Sequence, residues 1–403
     1  MTLAVEEASG KGLRRPRPMS TNSAIATAAR DLDVDVVSAY PITPQTTVVE
    51  KIAEYIANGE LDAEMIHVES EHSALSAAIG AAAAGARSFT ATASQGLALM
   101  HEILHIASGG RVPVVMSVAT RALSAPISIW NDHSDVMNAR DSGWIIAFVS
   151  SAQEAYDTVI QAFKVAEDPE VLLPFMVAYD GYLMSHTMEP VVTEDRETVL
   201  SYAPKRDYPY KLDPKKPVTI GTITDPNWYY EFKYQQVETM RVALEKFRRA
   251  DEEFGKVFGR NYGLLECIHC EDADAIVVAT TSYATTLKYL INTAREKGMK
   301  VGLLRLRLYR PFPVEDFLKA TSGVDTLLVI DRAISYGAPV QGPLATEINS
   351  LFHSRGIDTK VVSVVAGIGQ RAFKDDDAMN MFKLALESRK AAPEETIFYG
   401  VRK

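Results

Sequence analysis

The chain has 403 residues, of which 47% are apolar and 23% charged, a composition typical of a globular protein with a large core. Its net charge of −10 at pH 7 argues against nucleic acid or an anionic membrane as its main partner. No apolar run reaches the ~18 residues of a membrane span, and the first residues lack the apolar core of a signal peptide. The two cysteines, Cys267 and Cys270, exclude a disulfide framework and fit a reducing cytoplasm, where we expect this protein.

The first part of the chain predicts an α/β domain. Residues 1–18 are expected to form a flexible arm. From 19 to 190, short β-branched apolar runs alternate with helical patterns, as expected for parallel strands buried on both faces. The predicted strands are VDVVSA, SFTATAS, VPVVMSVA, WIIAFVS and LLPFMVAY, and the predicted helices are PQTTVVEKIAEYIANG, EHSALSAAIGAAAAGA, QGLALMHEILHIAS and AQEAYDTVIQAFKVAED. This alternation is typical of a layered fold around a parallel sheet.

The rest of the chain predicts a linker and a second α/β unit. Residues 191–271 are rich in Pro, Tyr and Lys and then carry an amphipathic pattern over 228–258, which indicates a linker followed by a docking helix. The second unit covers 272–390, and 391–403 is a tail. Its predicted strands are DAIVVAT, KVGLLRLRL, DTLLVI and TKVVSVV, and its predicted helices lie near 283–297, 313–320, 338–353 and 376–387.

Four segments of the first domain follow predicted strands and are therefore expected at one edge of the sheet, where ligands bind in open α/β folds. They are the turn 40–43, the acids Glu69 and Glu71, the turn 92–96 and the loop from Arg121 to Arg140.

Two of these segments resemble helix N-termini. Thr43 precedes Pro44, which is favoured at the first helical position, so Thr43 is a natural N-cap. Ser94, before Gln95 and Gly96, repeats the pattern. Each is either an ordinary cap or part of an anion site, because a helix N-terminus attracts carboxylate or phosphate.

Charged residues at the same edge allow two interpretations each. Glu71 opens an Ala-rich helix and is either a desolvated functional carboxylate or an acid that stabilises the helix dipole. Arg121 directly follows a buried strand, where its guanidinium either binds a carboxylate in a bidentate manner or forms an internal ion pair. The sequence DHSD at 132–135 lacks zinc spacing, so no metal site is expected.

Two weaker motifs are set aside. GIGQRA at 367–372 is a loose GxGxxA without a clean helix after it, so no dinucleotide site is expected. CIHC is a lone CxxC, and neither a redox nor a ligand role is expected for it.

At these residues the chain resembles the α subunit of 2-oxoacid:ferredoxin oxidoreductases of the pyruvate synthase type. The resemblance covers about residues 18–390 and is carried by AYPITPQT, VESEHSALSAAIGAAAAGARSFTATASQGLALMHE, RALSAPISIWNDHSDVMNARDSGW, DGYLMSHTMEPV and YRPFPVE. It implies a thiamine-diphosphate-enzyme pyrimidine-type domain followed by a transketolase C-terminal-like domain. It also implies partner β, γ and δ subunits, with the diphosphate and Mg²⁺ site on β and [4Fe-4S] clusters on ferredoxin-like chains.

The resemblance implies roles for particular residues. Thr43 and Arg121 would hold the substrate carboxylate, and Glu71 would hydrogen-bond the cofactor aminopyrimidine and favour its imino form. Glu69 would be a structural neighbour. The remaining cofactor-binding positions implied are Tyr40, Pro41, Ser94, Gln95 and Gly96. One departure is the turn GIGQRA, where the family often shows a GLGGRD-like turn, so no precise role is carried over to it.

The implied reaction is the reversible oxidative decarboxylation of pyruvate with coenzyme A to acetyl-CoA and CO₂, with electrons passed singly to iron–sulfur clusters and ferredoxin. Branched-chain 2-oxoacids or indolepyruvate are alternative substrates, although the bulky Ile127, Ile129 and Trp130 favour pyruvate. A non-catalytic scaffold subunit is an alternative of another class, which would not require Thr43, Glu71 and Arg121 together. A stand-alone NAD enzyme would need a glycine fingerprint that the sequence lacks.

Overall fold

The computed structural model describes residues 15–208 and 210–402. Its strands are β1 (Arg17–Met19), β2 (Val36–Ser38), β3 (Glu64–Ile66), β4 (Ser88–Thr92), β5 (Val114–Thr120), β6 (Ile145–Phe148), β7 (Phe175–Asp180), β8 (Glu189–Val191), β9 (Leu265–Ile268), β10 (Ala275–Ala279), β11 (Val301–Leu306), β12 (Leu308–Arg310), β13 (Thr326–Asp331), β14 (Lys360–Val365) and β15 (Ile397–Phe398). Its α-helices are α1 (Thr21–Asp31), α2 (Thr46–Ala57), α3 (Glu71–Ala83), α4 (Ser94–Leu99), α5 (His101–Gly109), α6 (Ser134–Ala139), α7 (Ala152–Ala166), α8 (Leu183–His186), α9 (Arg196–Tyr202), α10 (Tyr229–Phe258), α11 (Thr281–Glu296), α12 (Val314–Ala320), α13 (Pro343–Ser354) and α14 (Asp375–Glu387).

The first sheet has seven strands in the order β12-β6-β7-β5-β4-β2-β3. All its pairs are parallel except β12 with β6. Every residue of the central strands β4, β5 and β7 is buried, because helices cover both faces of the sheet. The predicted α/β fold class with a parallel sheet is confirmed.

The helix α1 occupies the centre of one helical layer, against α2 and α7. Ser20 begins it, with Oγ accepting from Ser23 N at 3.2 Å. Four alanines of α1 are fully buried, so the backbone of this helix approaches its neighbours closely. Asn22, also fully buried, donates to Pro44 O at 2.8 Å and fixes the residues before α2.

The second sheet has six strands in the order β15-β14-β13-β10-β11-β9, with β9 antiparallel to β11 and the other pairs parallel. Several short strands fall where the sequence predicted none. β9 lies in the expected linker, β15 in the expected tail, and β1 covers the end of the expected arm, paired with β8. Each consists of at most four residues that pair with a distant partner, so the local pattern carries no signal for them. Residues 1–14 of the expected arm lie outside the described residues.

The predicted strand KVGLLRLRL is divided between the two sheets. β11 belongs to the second sheet, whereas β12 crosses to the edge of the first sheet. Between them lies Arg307, fully buried, whose guanidinium donates to Asp251 Oδ1 at 2.9 Å and Gln161 Oε1 at 2.7 Å. A buried arginine needs such partners, and here they come from α10 and α7 of the first unit.

The predicted helix over 228–258 corresponds to α10. Its buried residues Ala243, Phe247, Ala250 and Phe254 recur at helical spacing on one face, and α10 packs on α7. None of the helices in the described part of the chain combines the length and the apolar character needed to cross a bilayer.

The CIHC sequence forms a closed turn in which Cys267 and Cys270 are joined by a disulfide. The sequence analysis did not predict this bond. His269 adopts φ +54°, and Arg295 Nη2 donates to its carbonyl at 2.7 Å. This turn brings the two cysteine Cα atoms to 5.9 Å, within the range that a disulfide spans.

Candidate active site

The four predicted segments meet at the carboxyl edge of the first sheet. The residues that follow β2, β4 and β5 contact one another directly. Gly181, which follows β7, contacts the end of β5. Gly181 N donates to Thr120 O at 3.1 Å. A Cβ on Gly181 would collide with that same carbonyl and would lie 2.8 Å from Pro44 Cγ, so glycine is required for this close approach.

Arg121 and Thr43 are brought together. Arg121 is 6% exposed, and its Nη1 donates to the backbone carbonyl of Thr43 at 2.9 Å. Its Nε donates to Ser128 O at 2.8 Å. Burial lowers the pKa of Arg121, and the Asp135 carboxylate opposes that shift. No described residue accepts a hydrogen bond from Nη2. The guanidinium is therefore held by two bonds and keeps N–H groups that are free to donate to a ligand.

The prediction that Thr43 caps a helix is wrong. Gln45 N donates to Ile42 O at 2.9 Å, which closes a turn over Thr43 and Pro44, and α2 begins only at Thr46. The cap residue of α2 is Gln45, which makes no side-chain cap bond. Thr43 is exposed, and among the described residues nothing hydrogen-bonds its hydroxyl. This hydroxyl is therefore free for a ligand beside Arg121.

The expected cap role of Ser94 is also wrong. The cap residue of α4 is Ala93, and Ser94 has φ +49°, a region that non-glycine residues rarely adopt. Ser94 Oγ lies 2.6 Å from Ala122 O and from Gln95 Oε1, so it joins this turn to the residue after Arg121. Neither Thr43 nor Ser94 is therefore an N-cap residue, although α2 and α4 both begin at this edge of the sheet.

Asp135 connects these segments, a role that sequence reasoning missed. Its Oδ2 accepts from Ser94 N at 2.8 Å and from Arg121 N at 3.0 Å. Burial raises its pKa to about 7, although these backbone N–H groups oppose the shift. The available signal was an acid within SDVMNA, a short segment whose other side chains include Val136 and Met137. Such an acid on a buried helix face requires partners.

Glu71 is the first residue of α3 and is 8% exposed. Ser70 caps this helix, its Oγ accepting from Ser73 N at 3.2 Å. No hydrogen bond or ion pair joins the Glu71 carboxyl to any described residue. Glu69, by contrast, is exposed and bonds Ser73 Oγ at 2.5 Å, so the two acids diverge. Glu71 is therefore a nearly buried carboxylate without a partner among the residues that the structure describes.

Gly96 makes room for Glu71. A Cβ at position 96 would lie 2.8 Å from Glu71 Oε1 and would collide with Thr92 Oγ1. The two buried atoms Gln95 Nε2 and Thr92 Oγ1 have no hydrogen-bond partner. Buried polar atoms are normally satisfied, so this cluster has the character of a site for a polar ligand.

Tyr40 and Pro41 lie at the exposed side of the same edge, and Tyr40 is 37% exposed. Gln45 Nε2 donates to Tyr40 O at 2.9 Å, while its Oε1 is buried without a partner. All eight predicted site residues thus belong to segments at one edge of the sheet. The direct links described above join Thr43, Arg121 and Ser94 on one side, and Glu71 and Gly96 on the other.

Two family models match the chain. The model for the pyruvate flavodoxin/ferredoxin oxidoreductase, thiamine diphosphate-binding domain covers residues 27–251, and the model for pyruvate:ferredoxin oxidoreductase core domain II covers residues 273–378. The chain belongs to the pyruvate:ferredoxin oxidoreductase family. The resemblance inferred from the motifs is therefore confirmed.

Curated relatives of this oxidoreductase family include pyruvate synthase subunit PorA of Methanocaldococcus jannaschii, 49% identical over 94% of this chain and 96% of that protein. Ketoisovalerate oxidoreductase subunit VorA of Pyrococcus horikoshii is 42% identical over 88% of this chain and 90% of that protein. Among solved structures, the 2-oxoglutarate:ferredoxin oxidoreductase from Magnetococcus marinus matches with a TM-score of 0.70, covering 94% of this chain and 67% of that chain. At 18% identity, this last likeness shows the fold alone.

Proposed function

We propose that this chain is the α subunit of a multi-chain oxidoreductase that oxidatively decarboxylates pyruvate with coenzyme A to acetyl-CoA and CO₂ and passes the electrons to ferredoxin. The observation that carries the proposal is the position of Arg121 beside Thr43, at the same sheet edge as the unpartnered carboxylate of Glu71. Relatives at 42–49% identity that are named pyruvate synthase subunits support it.

Arg121 and Thr43 are proposed to bind the substrate carboxylate. The guanidinium is fixed by Thr43 O and Ser128 O and retains free N–H groups. A charge-assisted bond from such a pre-ordered donor is strong, because little side-chain freedom is lost on binding. The Thr43 hydroxyl adds a neutral donor at the exposed side, where a 2-oxoacid would enter.

Thiamine diphosphate fits the unpartnered groups around Glu71. The ring of an aminopyrimidine offers a nitrogen that accepts a hydrogen bond from a protonated carboxyl group, and Gly96 leaves space beside Glu71 Oε1. Buried Gln95 Nε2 and Gln45 Oε1 are further groups without partners. When bound, this cofactor supplies the carbon nucleophile that attacks the 2-oxo carbon. Glu71 would hold the proton of the ring-nitrogen hydrogen bond, and Arg121 would orient the acid.

The remaining components are proposed to lie on partner chains. Two cysteines cannot ligate a cluster that takes four, so the [4Fe-4S] clusters would be carried by the γ or δ subunits or by ferredoxin. The β subunit would carry the diphosphate and Mg²⁺ site. We place the assembled enzyme in the cytoplasm, where pyruvate and coenzyme A are available.

A branched-chain 2-oxoacid is the second candidate substrate. It is favoured by the ketoisovalerate relative and by the exposure of the loop side chains expected to limit the pocket. Ile127 is 79% exposed, Trp130 46% and Ile129 38%. Side chains so exposed in the single chain restrict a substrate only if a partner chain completes the pocket.

The test is a reduction assay of the assembled enzyme. The chain would be produced with its partner subunits, supplied with thiamine diphosphate and coenzyme A, and assayed with viologen or ferredoxin against a panel of 2-oxoacids. We expect the highest kcat/KM with pyruvate. A preference for branched-chain acids would change the substrate, and inactivity with every 2-oxoacid in a complex with full cofactor content would support a scaffold role instead.

A further inference from the structure

The turn Gly367–Gln370 of the second α/β unit contacts the Arg121–Arg140 loop of the first. We infer that Gln370 is a positioning residue that sets the orientation of Arg121 for the 2-oxoacid carboxylate. This inference rests on the proposed function, and it assigns a role to the GIGQRA sequence that the motif analysis left without one.

The contacts between turn and loop are direct. Asn131 N donates to Gln370 Oε1 at 3.3 Å, and Gly369 N donates to Asp132 Oδ2 at 3.1 Å. Ser128 Oγ lies 3.8 Å from the position that a Cβ on Gly369 would take. The turn therefore bonds two residues of the loop, and Ser128 lies nearby.

The loop transmits this contact to the guanidinium. Ala122 N donates to Trp130 O at 3.0 Å, which closes the loop on itself directly after Arg121. Trp130 N donates to Ser128 Oγ at 3.3 Å, and Ser128 O accepts from Arg121 Nε at 2.8 Å. The backbone from Ser128 to Asn131 is thus held by Gln370 at one end and holds Arg121 at the other.

The backbone of the turn is unusual at Gln370. This residue has φ +59°, and the two glycines of the turn have φ +71° and +57°. A glutamine in this region costs about 1 kcal/mol relative to glycine. Backbone strain of this kind persists where the surrounding contacts over-determine it, and the bond from Asn131 to the Gln370 side chain is such a contact.

The second unit holds the turn rigidly. The Tyr283 ring stacks on Phe373 at 4.2 Å between centroids, and its hydroxyl donates to Arg371 O at 3.1 Å. A Cβ on Gly367 would collide with that hydroxyl, so only glycine fits there. A turn held in this way can fix the position of the loop that it contacts.

A second contact from the same unit supports the loop. Arg332 lies 4.3 Å from the Tyr283 ring centroid and donates to the Asn131 side-chain carbonyl. Its own carbonyl accepts from His133 N at 2.7 Å. Arg332 thereby holds the side chain of Asn131 and the backbone of His133, which fixes the Asn131 N–H beside Gln370.

The test compares two substitutions of Gln370 in the assembled enzyme. Gln370→Asn tolerates positive φ and keeps the amide, but its side chain is one methylene too short to reach Asn131 N. Gln370→Glu keeps the length and the acceptor oxygen. We expect Gln370→Asn to raise KM for the 2-oxoacid about five- to tenfold, the size of one lost hydrogen bond, with kcat changed less than twofold. Gln370→Glu should remain within about threefold of wild type in KM.

Hydrogen–deuterium exchange of the same proteins provides a readout that needs no activity. Gln370→Asn should speed exchange in peptides covering 122–133, and Gln370→Glu should not. Unchanged exchange in Gln370→Asn, or equal KM increases in both variants, would overturn the inference. If the wild-type enzyme is inactive with every 2-oxoacid, the proposed function fails, while the exchange comparison still decides whether Gln370 orders the loop.

Discussion

Arg121 and Thr43 are 78 positions apart in the chain, yet Arg121 Nη1 lies 2.9 Å from the Thr43 carbonyl oxygen and donates to it. The bond joins the residue that follows β5 to the turn that follows β2. The guanidinium is held by a main-chain carbonyl, so the positive charge of Arg121 is not neutralised by an acidic side chain in this bond. We therefore propose that the two residues bind an anion together.

Replacing Arg121 should weaken binding of the 2-oxoacid. We expect Arg121→Ala to cost roughly 2–4 kcal/mol in kcat/KM, as for other charged hydrogen bonds lost in the transition state. Arg121→Lys should recover only part of this loss. An ammonium lacks the planar, forked N–H groups with which a guanidinium bonds two carbonyls and a carboxylate at once. Arg140→Ala, in the same loop but paired with Asp141 and Glu347, is the matched control. Equal effects at the two positions would contradict the assignment.

Glu71→Gln should abolish most of the 2-oxoacid-dependent reduction while leaving assembly intact. An amide can donate a hydrogen bond to the ring nitrogen but cannot transfer a proton to it as a carboxylic acid can, so we expect a loss of at least about a hundredfold in kcat. Glu69→Gln is the control two residues away, since Glu69 is exposed and bonds only Ser73. Calorimetric titration with thiamine diphosphate would separate a loss of cofactor affinity from a loss of chemistry.

Gly96→Ala should displace the Glu71 carboxyl, because the added methyl group would lie 2.8 Å from its Oε1. We expect weaker binding of thiamine diphosphate, measured by calorimetry on the assembled enzyme. Gly80→Ala is the control: it lies in the exposed part of α3 with no atom within 4 Å of the added Cβ. That variant should be stabilised by about 0.5–1 kcal/mol, since alanine favours helix. Unchanged cofactor affinity in Gly96→Ala would exclude close packing between the two residues.

The raised pKa of Asp135 predicts that the free energy of unfolding depends on pH. Burial raises its pKa in the folded chain to about 7, from an ordinary value of 3.8. Between these values the folded chain binds a proton that the unfolded chain has released, so unfolding releases a proton. The free energy of unfolding should therefore fall as pH rises through this window, by at most about 1.4 kcal/mol per pH unit.

The variant Asp135→Asn removes this contribution. Urea unfolding of the full chain at pH 5, 6, 7 and 8 should show a shallower decline for Asp135→Asn than for wild type. Burial also raises the pKa of Asp331 to about 7, so Asp331→Asn should flatten the curve similarly. Only Asp135→Asn should also disturb the 2-oxoacid KM, because only Asp135 bonds Ser94 N and Arg121 N. Parallel curves for wild type and Asp135→Asn would show that this carboxyl is ionised throughout.

The sequence correctly predicts that the candidate segments lie at one edge of the sheet. Unalternated runs such as VPVVMSVA predicted β5, and the rule that parallel strands direct their carboxyl ends to one edge placed Thr43, Glu71 and Arg121 together. The prediction of the helix caps was wrong. A turn closed by the bond from Gln45 N to Ile42 O precedes α2, and composition does not specify this turn.

Contacts between distant segments account for the remaining differences. Asp135 was visible only as one acid among several in a loop, and its partners lie 41 and 14 positions away in the chain. Gln370 belongs to a motif for which no dinucleotide site is expected, and it contacts the loop only in the folded chain. The same holds for β9 and β15, which add to sheet edges formed elsewhere in the sequence.

The placement of β12 in the first sheet has a consequence for how the protein is made. On the ribosome, residues up to 180 emerge before Leu308–Arg310, so β6 is the open edge of the first sheet until those last residues arrive. An unpaired edge strand is a template for aggregation. In the nascent chain, β6 thus remains without its partner β12 until about three-quarters of the chain has been synthesised.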